Sequence, residues 1–254
     1  MHIALTRQVS PSIKHCELTH LTREPIDLQL ARRQHRQYEQ VLADLGCQVH
    51  SLPSEPDLPD SVFVEDAAIV LDELGVITLP GAVSRRAEVL SIAEALAPYR
   101  EIRFIESPGT LDGGDVLRID KTLYVGVSSR SNQAAVEQLC DLLNPFGYTI
   151  IPVSVSGCLH LKSAVTQVSQ DTLLINREWI DAELFGRMRF IDVHSTESYA
   201  ANTLRINHKV IYPTAYPKTR QRLDSQGISV RVVDVSELIK AEGAVTCCSL
   251  IFRG

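Results

Sequence analysis

No stretch of this sequence is apolar for long enough to cross a bilayer, none of its six cysteines forms a Cys-x-x-Cys pair, and no basic stripe runs along it. The first absence excludes a membrane-spanning helix. The second, with two of the cysteines side by side, leaves neither a disulfide framework nor a zinc site, and no metal or other cofactor is expected. The third, at a formal net charge of -6, argues against a nucleic-acid partner, because phosphate binding demands clustered lysine and arginine. Residues 1–20 scatter Arg7, Lys14, His15 and Glu17 among short apolar pieces, so a signal-peptide core is missing too. These absences point to a cytoplasmic protein with free thiols and a small-molecule partner.

What is there suffices for a full core: 44% of the 254 residues are apolar. Residues 2–6 read as a strand, and residues 8–24, polar and irregular, read as a mobile lid. From Asp27 onward Leu28, Ala31, His35, Tyr38, Leu42 and Leu45 mark one helical face, stopped by Gly46, before 47–52 returns to strand alternation. A unit then recurs. It starts as a strand interrupted by polar residues, turns into a second strand, and continues through a helix to a further strand. Its starts are 60–70, with Glu65-Asp66; 110–117, with Asp112-Gly113-Gly114-Asp115; 159–163, with His160; and 199–204, with Asn202. The last copy opens at Thr246-Cys247-Cys248 and needs the N-terminal strand and helix to be complete. Five starts spaced by roughly 40 to 50 residues indicate a closed ring, since each unit needs neighbours to cover its apolar faces.

In such a ring, pseudo-equivalent positions converge on the axis. Glu65 and Asp66, Asp112 and Asp115, His160, and Cys247 all fall at nearly the same point of their copies, where acidic residues and glycine are poor strand formers. Local rules broken at equivalent points suggest a site. Each residue also has a plain structural reading. His160 fits a satisfied core histidine in an apolar strand, and Asp112 a turn former bonding nearby amides. Cys247 fits a small buried hydrophobe. The glycines make sense where backbone approaches a ligand or another strand closely, and the acidic pair calls for a cationic partner. If Cys247 and Cys248 are in a strand, they face opposite ways and cannot share a role.

The segments Leu58-Pro59-Asp60-Ser61-Val62-Phe63-Val64-Glu65-Asp66, Pro80-Gly81-Ala82-Val83-Ser84-Arg85-Arg86, Leu111-Asp112-Gly113-Gly114-Asp115-Val116-Leu117, Leu159-His160-Leu161-Lys162-Ser163 and Thr246-Cys247-Cys248-Ser249 together resemble the dimethylarginine dimethylaminohydrolase family. They run in the family's order over essentially the whole chain. The wider resemblance is to guanidine-modifying enzymes, including arginine deiminases and amidinotransferases. It implies a five-fold pseudosymmetric α/β propeller of ββαβ-type repeats around a central channel, forming one catalytic domain over residues 1–254.

By the same resemblance Cys247 is the nucleophile, His160 the general acid and base, and Asp112 the carboxylate that orients it. The implied reaction converts Nω-methylated arginine to citrulline and an amine through a thiouronium on sulfur. Glu65 and Asp66 would grip the guanidinium, Arg85 and Arg130 the substrate carboxylate. Leu18 in the lid, Asp60 and Glu242 complete the implied substrate contacts, and the family admits a homodimer. One departure is informative. Deiminases carry an acid two residues after the histidine, and this chain has Lys162, which favours a substituted arginine. Hydrolysis of plain arginine or N-hydroxyarginine, and a non-catalytic binder of cationic amino acids, are the competing readings.

Overall fold

The computed structural model describes residues 1–254. Its strands form five separate three-stranded sheets, each with the same wiring. A first strand pairs antiparallel with a second, and the chain then crosses over to a third strand parallel to the second. In chain order the first four sheets are Ala68–Val70, Leu74–Ile77 and Glu101–Phe104; Val116–Ile119, Thr122–Val127 and Thr149–Ser154; Val165–Gln167, Thr172–Ile175 and Arg189–Asp192; and Leu204–Ile206, Lys209–Pro213 and Ser229–Val233. The fifth closes the ring, pairing Leu250–Arg253 with His2–Arg7 and that strand with Cys47–Leu52. This is the five-unit α/β propeller expected from the repeat. No helix is long and apolar enough to cross a membrane.

Helices fill the crossovers and seal the ring from outside. The helix Leu28–Asp44 begins where the Asp27 carboxylate accepts N–H bonds from Gln29 (2.9 Å) and Leu30 (3.0 Å). It buries Ala31, His35, Tyr38 and Leu42 on one face. Tyr38 reaches the far end of the chain, its hydroxyl donating to the Val245 carbonyl at 2.8 Å and lying 2.6 Å from Ser249 Oγ. The turn that carries Cys247 is thus pinned from behind by the first helix.

The structure differs from the sequence reading at the interrupted strand starts. Val64–Ala67 and Gly113–Asp115 are short 3-10 turns, and Leu161–Ala164 is a single helical turn that His160 immediately precedes. Residues 245–248 also form a turn, and the strand begins only at Leu250. For the first two the reason is the one that made these residues conspicuous: Asp and Gly favour turns, and a turn aims side chains at the axis where a strand would alternate them. Cys247 and Cys248 therefore do not alternate as strand neighbours. The lid differs as well. Val9, Ile13 and Cys16 are buried in the same core as Tyr38 and Phe63, so its first half is anchored, while none of residues 17–24 is buried.

Candidate active site

Near the axis, on one side of the ring, the turns at 60–66, 159–160 and 241–247 meet around a small recess. Its lining includes Cys247, His160, Asp66, Asp60, Arg85, Arg130 and Glu242.

Cys247 is 9% exposed and accepts the Ala244 N–H at its Sγ, 3.4 Å away. Burial, then the charges of Glu65 and Asp66, push its thiol up to about 12. Cys248 is fully buried behind the same turn, with its Sγ donating to the Ala244 carbonyl at 3.4 Å. The two thiols are thus separated by the turn.

His160 lies with Nε2 3.0 Å from Asp112 Oδ2 and Nδ1 3.8 Å from Asp66 Oδ1. Burial alone would lower its pKa. The charge of Asp66, the bond to Asp112 and the charge of Asp115 outweigh burial and raise the pKa to about 9. Asp112, wholly buried, stands behind the imidazole and accepts the Gly81 N–H at 3.0 Å. Asp115 holds the histidine's turn from below, taking the Leu161 N–H at 2.9 Å on one oxygen and the hydroxyls of Ser128 (2.7 Å) and Ser131 (2.6 Å) on the other. Both glycines between the two acids are required by packing. A Cβ on Gly114 would lie 2.5 Å from His160 Nδ1, and one on Gly113 would strike the Glu65 carbonyl.

The acidic pair divides. Asp66 faces the recess, bound to Arg85 Nη1 at 2.6 Å and accepting the Gly114 N–H at 2.9 Å. Against the opposing effect of burial, His160, Arg85 and that N–H hold its pKa at about 2. Glu65 does not line the recess. It lies on the channel side with Lys162, whose Nζ is 2.5 Å from Oε1, while Thr246 Oγ1 donates to Oε2 at 2.7 Å. The reason is local: consecutive side chains of a 3-10 turn diverge by about 120°. The expected cationic partners are therefore Arg85 for Asp66 and Lys162 for Glu65.

The two arginines are also unlike. Arg85 is buried, with Nε and Nη2 on the Glu88 carboxylate, Nη1 on Asp66, and Nη2 near the Asp60 and Phe63 carbonyls. Most of its donors are already engaged. Arg130 is freer, touching Thr19 Oγ1 at 3.1 Å and lying 3.6 Å from Asp112. Glu88 was not singled out by sequence, although its spacing three residues after Arg85 on a helical turn is a readable signal.

The lid is tied down over the recess. Asp60 Oδ2 accepts the Glu17 N–H at 3.0 Å, and Glu242 accepts those of Thr19 (2.9 Å), His20 and Leu21 (2.5 Å each). Leu18, between them, is half-buried against the apolar core and does not line the recess. Asp66, Asp112 and His160 have ligand atoms within 4.8 Å of one another, close enough for an ion. With Arg85 already on Asp66 and Arg130 beside Asp112, the acids here are arranged around organic cations.

The model for the family described as N,N dimethylarginine dimethylhydrolase, eukaryotic, matches residues 12–252. The chain is 40% identical over 252 residues to the N(G),N(G)-dimethylarginine dimethylaminohydrolase of Streptomyces coelicolor, covering 98% of this chain and 96% of that one. Against the enzyme of the same name from Pseudomonas aeruginosa the identity is 35% over 228 residues, covering 89% and 90%. A solved structure of the Pseudomonas aeruginosa protein, a cysteine-to-serine mutant complexed with citrulline, superposes with a TM-score of 0.93 at 32% identity over 98% of both chains. A dimethylarginine dimethylaminohydrolase in adduct with S-methyl-L-thiocitrulline superposes equally well, with a TM-score of 0.93 and 32% identity over 99% of this chain and all of that one. Five repeated units, a recess built at their axis and a match that runs nearly end to end agree: this chain belongs to the N,N-dimethylarginine dimethylhydrolase family.

Proposed function

We propose that this protein hydrolyses Nω-methylated arginines to citrulline and methylamine or dimethylamine, with Cys247 as nucleophile. The observation that carries the proposal is the meeting, in one small recess, of a thiol, an imidazole braced by a carboxylate, and further buried acids suited to a guanidinium. A guanidinium carbon is a poor electrophile whose amines leave badly, and each group answers part of that difficulty. With the thiol at about 12 and the imidazole at about 9, the empty site holds a neutral thiol and an imidazolium at neutral pH. A cationic substrate beside Cys247 offsets the negative charge of the acids and favours loss of the thiol proton to solvent. The thiolate attacks the guanidinium carbon. His160 gives its proton to the departing amine, and a thiouronium remains on sulfur. Neutral His160 then takes a proton from water, which adds to the same carbon and expels the thiolate, leaving citrulline.

Asp112 acts as the orienting carboxylate, Asp66 and Asp60 as acids that attract the cationic substrate, and Arg130, with Arg85, as the carboxylate clamp. Glu65 acts from below, neutralising Lys162 and accepting from Thr246. The Lys162–Glu65 pair replaces the acid that deiminases carry after the histidine, which favours a substituted nitrogen. The six unpaired thiols support a reducing, cytoplasmic setting.

Incubation with asymmetric dimethylarginine should release citrulline, and plain arginine and N-hydroxyarginine should react more slowly. The rate should fall as pH rises through about 9, because His160 then loses the proton that the amine needs. No citrulline from methylated arginine, or a faster rate on plain arginine, would overturn the assignment.

The second half of the lid, residues 17–24, closes the site in this scheme. Shutting Leu18 against the core excludes water and shields the thiouronium until one water is admitted. Leu18→Gly should therefore lower turnover by about tenfold with the reacting groups intact. Amide exchange over residues 17–24 should slow when citrulline binds, and equal exchange in both states would remove the lid from the mechanism.

A further inference from the structure

The fourth unit sends no ionisable group into the recess, yet one of its side chains touches both turns that carry the reacting residues. Asn202 is 4% exposed and ends the turn before the strand Leu204–Ile206. Its Nδ2 donates to the Lys162 carbonyl at 3.1 Å and to Thr246 Oγ1 at 2.9 Å, and its Oδ1 accepts the Thr246 N–H at 3.1 Å. The amide orientation follows from these partners: the Thr246 N–H needs an acceptor and the Lys162 carbonyl needs a donor, so a flipped amide would lose both bonds. Thr246 Oγ1 in turn donates to Glu65 Oε2, and Glu65 Oε1 receives Lys162 Nζ. The four residues close a ring of buried and half-buried polar contacts. Lys162 lies two residues after His160, and Thr246 immediately precedes Cys247.

We infer that Asn202 is a positioning residue that holds the turn of Cys247 in register with the turn of His160. The inference rests on the roles proposed above for those two side chains. An amide suits this place because it offers a donor and an acceptor without charge. A carboxylate there would keep the acceptor for Thr246, lose both donors, and add negative charge beside Glu65. Asp115 does the matching work in the second unit, where it fastens the His160 turn through Leu161. The histidine's turn is thus held by the second and fourth units together. The cysteine's turn is held by Asn202 in front and by Tyr38 behind. Misplacing a nucleophile by about 1 Å can cost on the order of a hundredfold in rate. A broken Asn202 bridge should therefore appear in kcat.

The test uses Asn202→Ala, Thr246→Val, their double variant, and Thr246→Ser. Two readouts are taken: kcat and KM for citrulline release from dimethylarginine, and the rate of Cys247 alkylation by iodoacetamide across pH. Asn202→Ala and Thr246→Val should each lower kcat by about 10- to 100-fold with KM nearly unchanged, and each should shift the alkylation profile. The double variant should be no slower than the worse single one, because both break the same ring. Thr246→Ser, which keeps the hydroxyl, should retain most of the activity. A folded Asn202→Ala enzyme with parental kcat and alkylation profile would overturn the inference, and so would additive losses in the double variant. If Asn202→Ala fails to fold, Thr246→Val set against Thr246→Ser decides the same point. If the parent releases no citrulline, the proposed function fails, and the alkylation profiles still report whether Asn202 governs the thiol.

Discussion

Replacing Cys247 by serine is expected to lower citrulline release by about 10³-fold or more, while Cys248→Ser keeps most of the activity. A hydroxyl is far harder to ionise than a thiol, its alkoxide is a poorer leaving group, and an oxygen-linked isouronium would break down less readily than the thiouronium. The fold should tolerate the change, since one sulfur becomes one oxygen at a position that meets the recess. Cys248 has no path to substrate: its side chain is wholly enclosed and its Sγ bonds back to the Ala244 carbonyl. Its serine variant loses only some packing. Rapid acid quench during turnover, followed by mass spectrometry, should find the substrate-derived adduct on Cys247. An adduct mapped to Cys248, or a Cys247→Ser enzyme at the parental rate, would reverse the assignment.

The second large effect falls on stability. Arg85→Ala is expected to cost about 3 to 5 kcal/mol of folding free energy, because it strips the cation from two buried carboxylates. Asp66 loses a 2.6 Å ion pair and Glu88 loses its contacts to Nε and Nη2. Glu88 is already raised to about 7, by burial first and against the lowering effect of Arg85. Without the arginine Glu88 becomes stable in the folded state chiefly when protonated, while Asp66 keeps His160 and the Gly114 N–H. A carboxyl raised in this way stabilises the fold at low pH, and that contribution is lost as pH rises above the unfolded value of about 4.5. The variant should therefore be weakest at alkaline pH and recover partly on acidification, which urea unfolding at pH 5 and 8 would measure. Arg130→Ala should behave differently. It removes a looser contact, 3.6 Å from buried Asp112, which keeps its bonds to His160 and the Gly81 N–H, so it should cost less stability and chiefly weaken substrate binding by about 1.5 to 3 kcal/mol, roughly ten- to a hundredfold in KM. Agmatine, which lacks the carboxylate, should be a poor substrate of the parent and should lose little further in Arg130→Ala. Equal stability of the two arginine variants would refute the added structural role that distinguishes Arg85 from Arg130.

That distinction was not legible in the sequence, where both arginines follow a glycine-containing turn in consecutive units and fit the same role. The same is true of Glu65 and Asp66. As neighbours in an acidic pair they read as one grip, and the 3-10 turn sends one to the recess and the other to the channel. Lys162 shows the cost of reading a position alone. Substituting an acid there looks like a simple specificity test, yet in the structure Lys162→Asp would face Glu65 across a gap of a few ångströms with no cation between them. Such a variant would report electrostatic collapse as much as substrate choice. Asn202 was visible as a member of the fourth repeat and had no assigned work, because its partners lie about 40 residues away in each direction.

The sequence by itself determined the number of units, their order, the closure of the ring through the two chain ends, and the residues that break strand rules near the axis. These are local properties: apolar periodicity, turn-forming residues and their recurrence follow from short-range backbone and side-chain preferences. Only the tertiary structure decided that the polar positions sit on turns, that Cys248 lies behind Cys247 in a turn instead of opposite it in a strand, and which acid meets which cation. Those outcomes depend on burial and on partners brought together from distant units, and a carboxylate's environment exists only once the ring has closed around it.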